Sequence, residues 1–484
     1  MFDYRGFATR RLSAIGTKYL PFADVASHDV PLSQLLRLSL FQVTVGMALV
    51  LLVGTLNRVM IVELGVPAAL VGVMLALPLL FAPFRALIGY KSDTHVSALG
   101  LRRIPYIWKG TLYQFGGFAV MPFALLVLSG YGEAVDAPRW IGYSSAALAF
   151  LLVGAGLHIV QTVGLALATD LVDETDQPKV VGLMYVMLLL GMVASALAYG
   201  ALLENYSPGR LVQVIQGTAV VTAVLNLLAM WKQESRSRER ARQMEAARPP
   251  VFSVAWATLM REPNMLRLLF VIGLGTLGFG MADVLLEPYG GQVLGLSVAD
   301  TTRLTALLAT GTLTGFAIAS RVLSDGGSPA KMASIGAAIG IPGFVAIIMS
   351  SLGGGTVMFL SGTLATGLGA GLFGHATLTA AIRAAPRERT GLALGAWGAV
   401  QATAAGVGVA FAGIVRDVVA ALPGDGVGPP PHIPYNVVFA IEALLLAAAI
   451  AVALPLVFRA GRAARRTGSR SGTNTANTST MEVS

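Results

Sequence analysis

Two histidines, His158 in Gly154-Ala155-Gly156-Leu157-His158 and His375 in Gly369-Ala370-Gly371-Leu372-Phe373-Gly374-His375, are the side chains best placed for chemistry in an otherwise apolar setting. A neutral imidazole there can ligate a metal centre, including the magnesium of a chlorin as an axial ligand. The flanking glycines let a large flat object, or another helix, come close to the backbone. The alternative for either ring is an interhelical hydrogen bond to a carbonyl or to Gln161.

A second constellation is charged: Gly89-Tyr90-Lys91-Ser92-Asp93, then Gly100-Leu101-Arg102-Arg103, with a weaker echo at Arg321-Val322-Leu323-Ser324-Asp325 and Lys331. The remaining ionisable candidates are few. Asp283, Glu287 and Glu442 are expected near the outer ends of their helices and Arg85 near an inner end, where each can snorkel or hydrate. Since a charge inside a span costs about 2.5–3.5 kcal/mol by insertion assays, each is a functional candidate by default. With no carboxylate expected at the middle of a span, ordinary proton-driven transport is not expected.

The chain that positions these residues has 484 residues, 55% hydrophobic and 12% charged, which is a polytopic membrane composition. It contains no cysteine, which excludes disulfides and thiol chemistry. No phosphate loop, His-Glu-x-x-His or Gly-x-Ser-x-Gly pattern occurs, and an enzyme is not expected. The net charge of +9 sits in short loops and tails that set membrane orientation, so no nucleic-acid partner is implied.

At about 20 apolar residues per crossing, twelve runs are expected, at 38–56, 68–88, 108–129, 141–165, 180–203, 211–231, 266–286, 303–320, 331–351, 356–381, 391–414 and 436–458. Arg and Lys collect in alternate loops, which places both termini in the cytoplasm. The organisation read from this is a cytoplasmic N-terminal segment (1–37), a six-helix half (38–231), a cytoplasmic linker (232–265), a second six-helix half (266–458) and a disordered basic tail (459–484).

A slide of 232 residues lays Asp93 on Asp325, and slides of about 208 to 215 lay Gly154-Ala155-Gly156-Leu157 on Gly369-Ala370-Gly371-Leu372. Two similar six-helix halves are the mark of a parallel duplication, as in major-facilitator transporters. The expected fold is therefore an all-α polytopic membrane protein of major-facilitator type. The knot at Gly89, Asp93, Gly100, Arg102 and Arg103 resembles that superfamily's signature loop, which implies that Asp93 sits near Thr390-Gly391 and that Asp93, Arg102 and Arg103 act in gating or latching. A longer gap before Gly100 and Thr94 in place of the usual Arg depart from the pattern.

More specific strings are Gly54-Thr55-Leu56-Asn57-Arg58-Val59-Met60 leading to Glu63, Arg103-Ile104-Pro105-Tyr106-Ile107-Trp108-Lys109-Gly110, Asp283-Val284-Leu285-Leu286-Glu287-Pro288-Tyr289-Gly290-Gly291 and Thr301-Thr302-Arg303-Leu304-Thr305. Together they resemble the PucC/LhaA family over residues 37–458. The resemblance implies a light-harvesting complex assembly factor in the inner, photosynthetic membrane of a bacterium. By the same resemblance such a factor is expected to bind bacteriochlorophyll and hand it to antenna polypeptides, with pigment-synthesis enzymes as further partners. Asn57, Arg58, Asp283 and Glu287 become family-signature positions, and His158, His375 and Gln161 are the pigment-binding candidates read from the residues themselves. Two other readings stay open: an exporter of a small apolar or amphipathic molecule, and a pigment-free membrane chaperone for antenna helices.

Overall fold

The computed structural model describes residues 30–80, 88, 92, 101, 103–130, 134, 136–172, 177–234, 260–261, 264–384, 390–422 and 429–477. Every regular element among them is helical. In chain order they are α1 (Leu32–Glu63), α2 (Ala68–Leu80), α3 (Ile104–Ser129), α4 (Arg139–Asp170), α5 (Gln177–Leu202), α6 (Pro208–Met230), α7 (Met265–Gly280), α8 (Ala282–Gln292), α9 (Val298–Ser324), α10 (Pro329–Met349), α11 (Gly355–Ala384), α12 (Thr390–Ala420) and α13 (His432–Asn477).

Local sequence explains many of the boundaries. Ser207, Ser297 and Ser328 cap α6, α9 and α10, accepting from the backbone N–H of Arg210, Asp300 and Lys331. Pro208 and Pro329 follow two of these caps at the first helical position, where a missing N–H costs nothing. Gly130 ends α3 in the left-handed conformation at φ 61°.

Ten helical stretches among the described residues are long and apolar enough to cross a membrane, and Ala68–Leu79 is a shorter apolar helix. One of the ten, Pro329–Ala384, has 56 residues. At about 1.5 Å per residue that is about 84 Å, far more than one bilayer. It reverses at Leu352–Gly355, where Gly353 and Gly355 take φ of 114° and 63°, and α10 and α11 then pack along each other.

Three elements depart from the simple reading of the sequence. The first helix begins at Leu32, ahead of the expected start at 38, because Leu35 and Leu38 are buried in the core. Within α1, Val50–Leu56 and Val59–Glu63 are wound as π-helix, a form that concentrates at functional sites. The seventh expected run breaks at Met281 into α7 and α8. At the far end, α13 continues to Asn477, past the span His432–Phe458. The Ala- and Arg-rich start of this continuation favours helix. Most of the linker, like the N-terminal segment before Val30, lies outside the described residues.

Packing divides the bundle in two. The helices α1 to α6 pack on one another, as do α7 to α13, and the two sets meet where α2 lies on α12 and α5 on α9. The second set has an aromatic centre, with Tyr289, Tyr435, Phe359 and Phe439 fully buried in ring-to-ring contact. Large apolar side chains such as Phe270, Leu227 and Val357 face outward, as lipid contact requires.

Candidate functional site

The wide turns of α1 carry Thr55, Asn57 and Arg58 to the seam between the halves. There Asn57 donates from Nδ2 to the carbonyl of Val284 (2.8 Å), and the Thr55 and Thr302 hydroxyls share a hydrogen bond (3.2 Å). Arg58, 4% exposed, forms an ion pair with Glu63 and donates to the carbonyl of Leu296 across the seam (3.0 Å). Glu287 accepts from Thr305 and crowds Gly54, where a Cβ would lie 2.8 Å from its Oε1. A fifth link joins the Asp417 carboxylate to the backbone N–H of Ala69 (2.7 Å). Four of these are hydrogen bonds that tie α1 or the start of α2 to the second half, Glu287 adds a close contact with Gly54, and they cluster at the end of the bundle that carries Glu63. Just outside it, burial and the nearby Glu63 push the Tyr206 hydroxyl up from its ordinary value, while Arg58 pulls it down.

The sequence therefore named four members of one cluster: Asn57, Arg58, Asp283 and Glu287. Asp283, one turn before Glu287 on α8, is exposed. It lies within electrostatic range of both Glu287 and Glu442. Glu442 overturns the expectation of a hydrated helix end, because it is fully buried between His432 and Phe458. Its carboxylate is aimed at the backbone N–H of Ala282 at the start of α8, where the helix dipole favours negative charge, although by strict geometry neither oxygen is paired. Glu287 and Glu442 are thus enclosed by protein, with α13 packing on α7 beside them. Among the described residues they do not gather with other ligands into a metal-holding group.

The opposite end holds Arg103. Its guanidinium donates to Asp170 (3.0 Å) and Ser92 (2.8 Å), and its backbone N–H donates to Glu234 (3.0 Å). Gln233 reaches the carbonyl of Gln34 nearby (3.3 Å). These contacts join segments of the first half to one another and to the start of the linker. Asp93, Arg102 and Arg85 lie outside the described residues, and with them the expected approach of Asp93 to Thr390-Gly391.

His158 and His375 lie on α4 and α11, in different halves, and both are half-buried. Most of the glycines around them serve helix packing. A Cβ on Gly154 would fall 2.2 Å from Pro78, on Gly156 2.5 Å from the carbonyl of Gly110, and on Gly371 2.1 Å from the carbonyl of Thr312. The face expected to be smooth along Gly367, Gly371 and Gly374 is therefore mostly covered by α9; only Gly374 has open space beside it. One residue on, His375 packs on Phe316 with ring centroids 4.2 Å apart, and its Nδ1 is buried without a hydrogen-bond partner. Gln161 is buried one turn beyond His158.

Thr55, Thr302, Thr305 and Asp417 complete the seam and were not singled out as site residues; the threonines stand in the quoted strings, but their role depends on which helices meet.

The fold matches solved structures of major-facilitator transporters. A bacterial homologue of the human lysosomal transporter Spinster, solved in an inward-facing and unoccupied conformation, superposes with a TM-score of 0.63 at 16% identity, covering 87% of this chain and 95% of that one. Among curated relatives, Protein PucC of Rhodobacter capsulatus is 71% identical over 461 residues, 95% of this chain and all of the relative. The Bacteriochlorophyll synthase 44.5 kDa chain of the same species is 26% identical over 442 residues, covering 89% of this chain and 96% of the relative. With the PUCC protein family model matching residues 55–461 on top of that identity, this chain belongs to the PucC family.

Proposed function

We propose that this protein is an assembly factor for light-harvesting complexes that binds bacteriochlorophyll within its helical bundle and hands it to antenna polypeptides. Its setting is the bacterial inner membrane, crossed twelve times with both termini in the cytoplasm. In this reading the α10–α11 hairpin counts as two crossings, and α2 with the residues after it supplies another. The Glu63 end then faces outward, and the cross-half bonds close that face.

The observation that carries the pigment reading is His375. A half-buried imidazole on a membrane-spanning helix, with no hydrogen bond fixing its Nδ1, supports a role as axial ligand for the magnesium of a chlorin. Phe316 holds the ring in place. An apolar macrocycle and tail need few polar contacts and no covalent chemistry, so the role is binding and transfer, and pigment-synthesis enzymes are natural donors. Relatedness to a chain named for bacteriochlorophyll synthase supports the same cargo.

A second reading, export of a small apolar or amphipathic molecule, is favoured by one observation. The seam at one end and the carboxylates Asp283, Glu287 and Glu442 behind it are the parts that alternating access would use. The absorbance spectrum of gently solubilised protein separates the two. Near-infrared absorbance from bound bacteriochlorophyll is the expected result. A colourless protein that still captures antenna polypeptides points to a pigment-free chaperone, and substrate-dependent proton flux in proteoliposomes points to the exporter.

A further inference from the structure

The helices α5 and α6 follow one another in sequence yet barely touch; both pack on α1, and further on α9 and α3 respectively. Between them lies a groove of about 390 Å³, floored by Val43 and Met47 and walled by Ala198 and Leu202 on one side and Gly217 and Val221 on the other. Its size falls in the ligand-binding range of about 300–1,000 Å³. The polar groups along it are already satisfied. Ser195 donates to the carbonyl of Gly191 (2.7 Å), and Thr218 donates to the Tyr199 hydroxyl (2.9 Å). The interior therefore asks only for an apolar chain.

The mouth differs. Where the groove reaches the Glu63 end, Arg210 and Gln213 line it and both are exposed. Among the described residues the Arg210 guanidinium has no hydrogen bond or ion pair, whereas neighbouring Glu204 is engaged by Arg303 (3.7 Å). A free cation at the head of an apolar furrow on a membrane-spanning face complements one kind of molecule. We propose that this groove binds an anionic phospholipid, one acyl chain between α5 and α6 and the phosphate on Arg210.

The test uses the full-length protein in nanodiscs of equal phosphatidylglycerol and phosphatidylcholine, released into mild detergent and read by native mass spectrometry. Phosphatidylglycerol should be retained in preference to phosphatidylcholine. R210Q should remove most of that preference, by about fivefold or more, and A198F should reduce retention of both lipids by filling the groove. Both substitutions fall on exposed positions, and an unchanged gel-filtration profile confirms that the bundle is intact. Equal retention of the two lipids by the unaltered protein, or no response to either variant, overturns the proposal. So does an A198F variant that keeps its lipid but no longer captures antenna polypeptides, since a transmembrane helix would then be the occupant.

Discussion

Asn57 in α1 donates a hydrogen bond of 2.8 Å to the main-chain carbonyl of Val284 in α8, fixing a side chain of the first half to the backbone of the second. Such a bond cannot survive separation of the halves at this end. A buried hydrogen bond contributes about 0.5–1.5 kcal/mol. N57A should therefore favour opening of the Glu63 end by about two- to tenfold. Because the chain has no cysteine, a single one introduced at Asp283 reports directly, and its labelling by a membrane-impermeant maleimide should speed up by that factor. An unchanged rate would mean that the bond does not hold the seam.

Arg103 should matter for stability more than for closure. It joins Asp170 and Ser92 in the first half to Glu234 at the start of the linker, and its side chain is only 6% exposed. R103A takes the guanidinium away from Asp170 and Ser92 but leaves the main-chain bond to Glu234, at a cost of about 1–3 kcal/mol given that Asp170 is partly hydrated. Thermal denaturation in detergent should show a lower midpoint, while labelling at the Glu63 end stays as it was.

The two histidines can be ranked. His375 packs its ring on Phe316, and Gly374 before it has no neighbour close by. H375F should weaken pigment retention about tenfold or more, which corresponds to about 1.4 kcal/mol, and H158F should have the smaller effect. The Phe variants keep the ring and the fold, so antenna assembly and near-infrared absorbance should fall while membrane levels hold. Full pigment yield in the double variant would rule out both residues as ligands.

Glycines on α11 are not equivalent. Gly371 lies against the carbonyl of Thr312, and Gly315 on α9 lies 2.2 Å, measured from a Cβ placed there, from the carbonyl of Leu368. G371L or G315L must push two backbones apart, costing about 1–3 kcal/mol or more, and should lower the thermal midpoint. G374A, facing open space, should not.

Much of the fold was legible from Gly54-Thr55-Leu56-Asn57-Arg58 and its partner strings, because long apolar runs and their punctuation report a bilayer directly. The seam candidates Asn57, Arg58, Asp283 and Glu287 were legible for a related reason: polar side chains in apolar surroundings stand out. Glu442 was misplaced because distance along a helix does not say which neighbours cover it. The glycines near His158 and His375 were ambiguous for the same cause, since close approach of a helix and of a flat ligand make identical demands on sequence. The break at Met281 follows Gly278 and Gly280, which permit a bend without requiring one.

The π-wound part of α1 gives this helix spare length. A turn that already holds one residue too many for an α-helix can lose one by tightening, leaving both flanks in register. Removing Leu51 should thus preserve the path of the chain from Phe41 to Arg58 better than removing Val45 from the α-wound stretch Leu40–Leu49, which turns everything beyond it by about 100°. Assembled antenna complexes, measured for single-residue deletions scanned along α1, should show tolerance peaking between Val50 and Leu56. Here the chain's length, rather than its side chains, sets the aim of the residues at the seam.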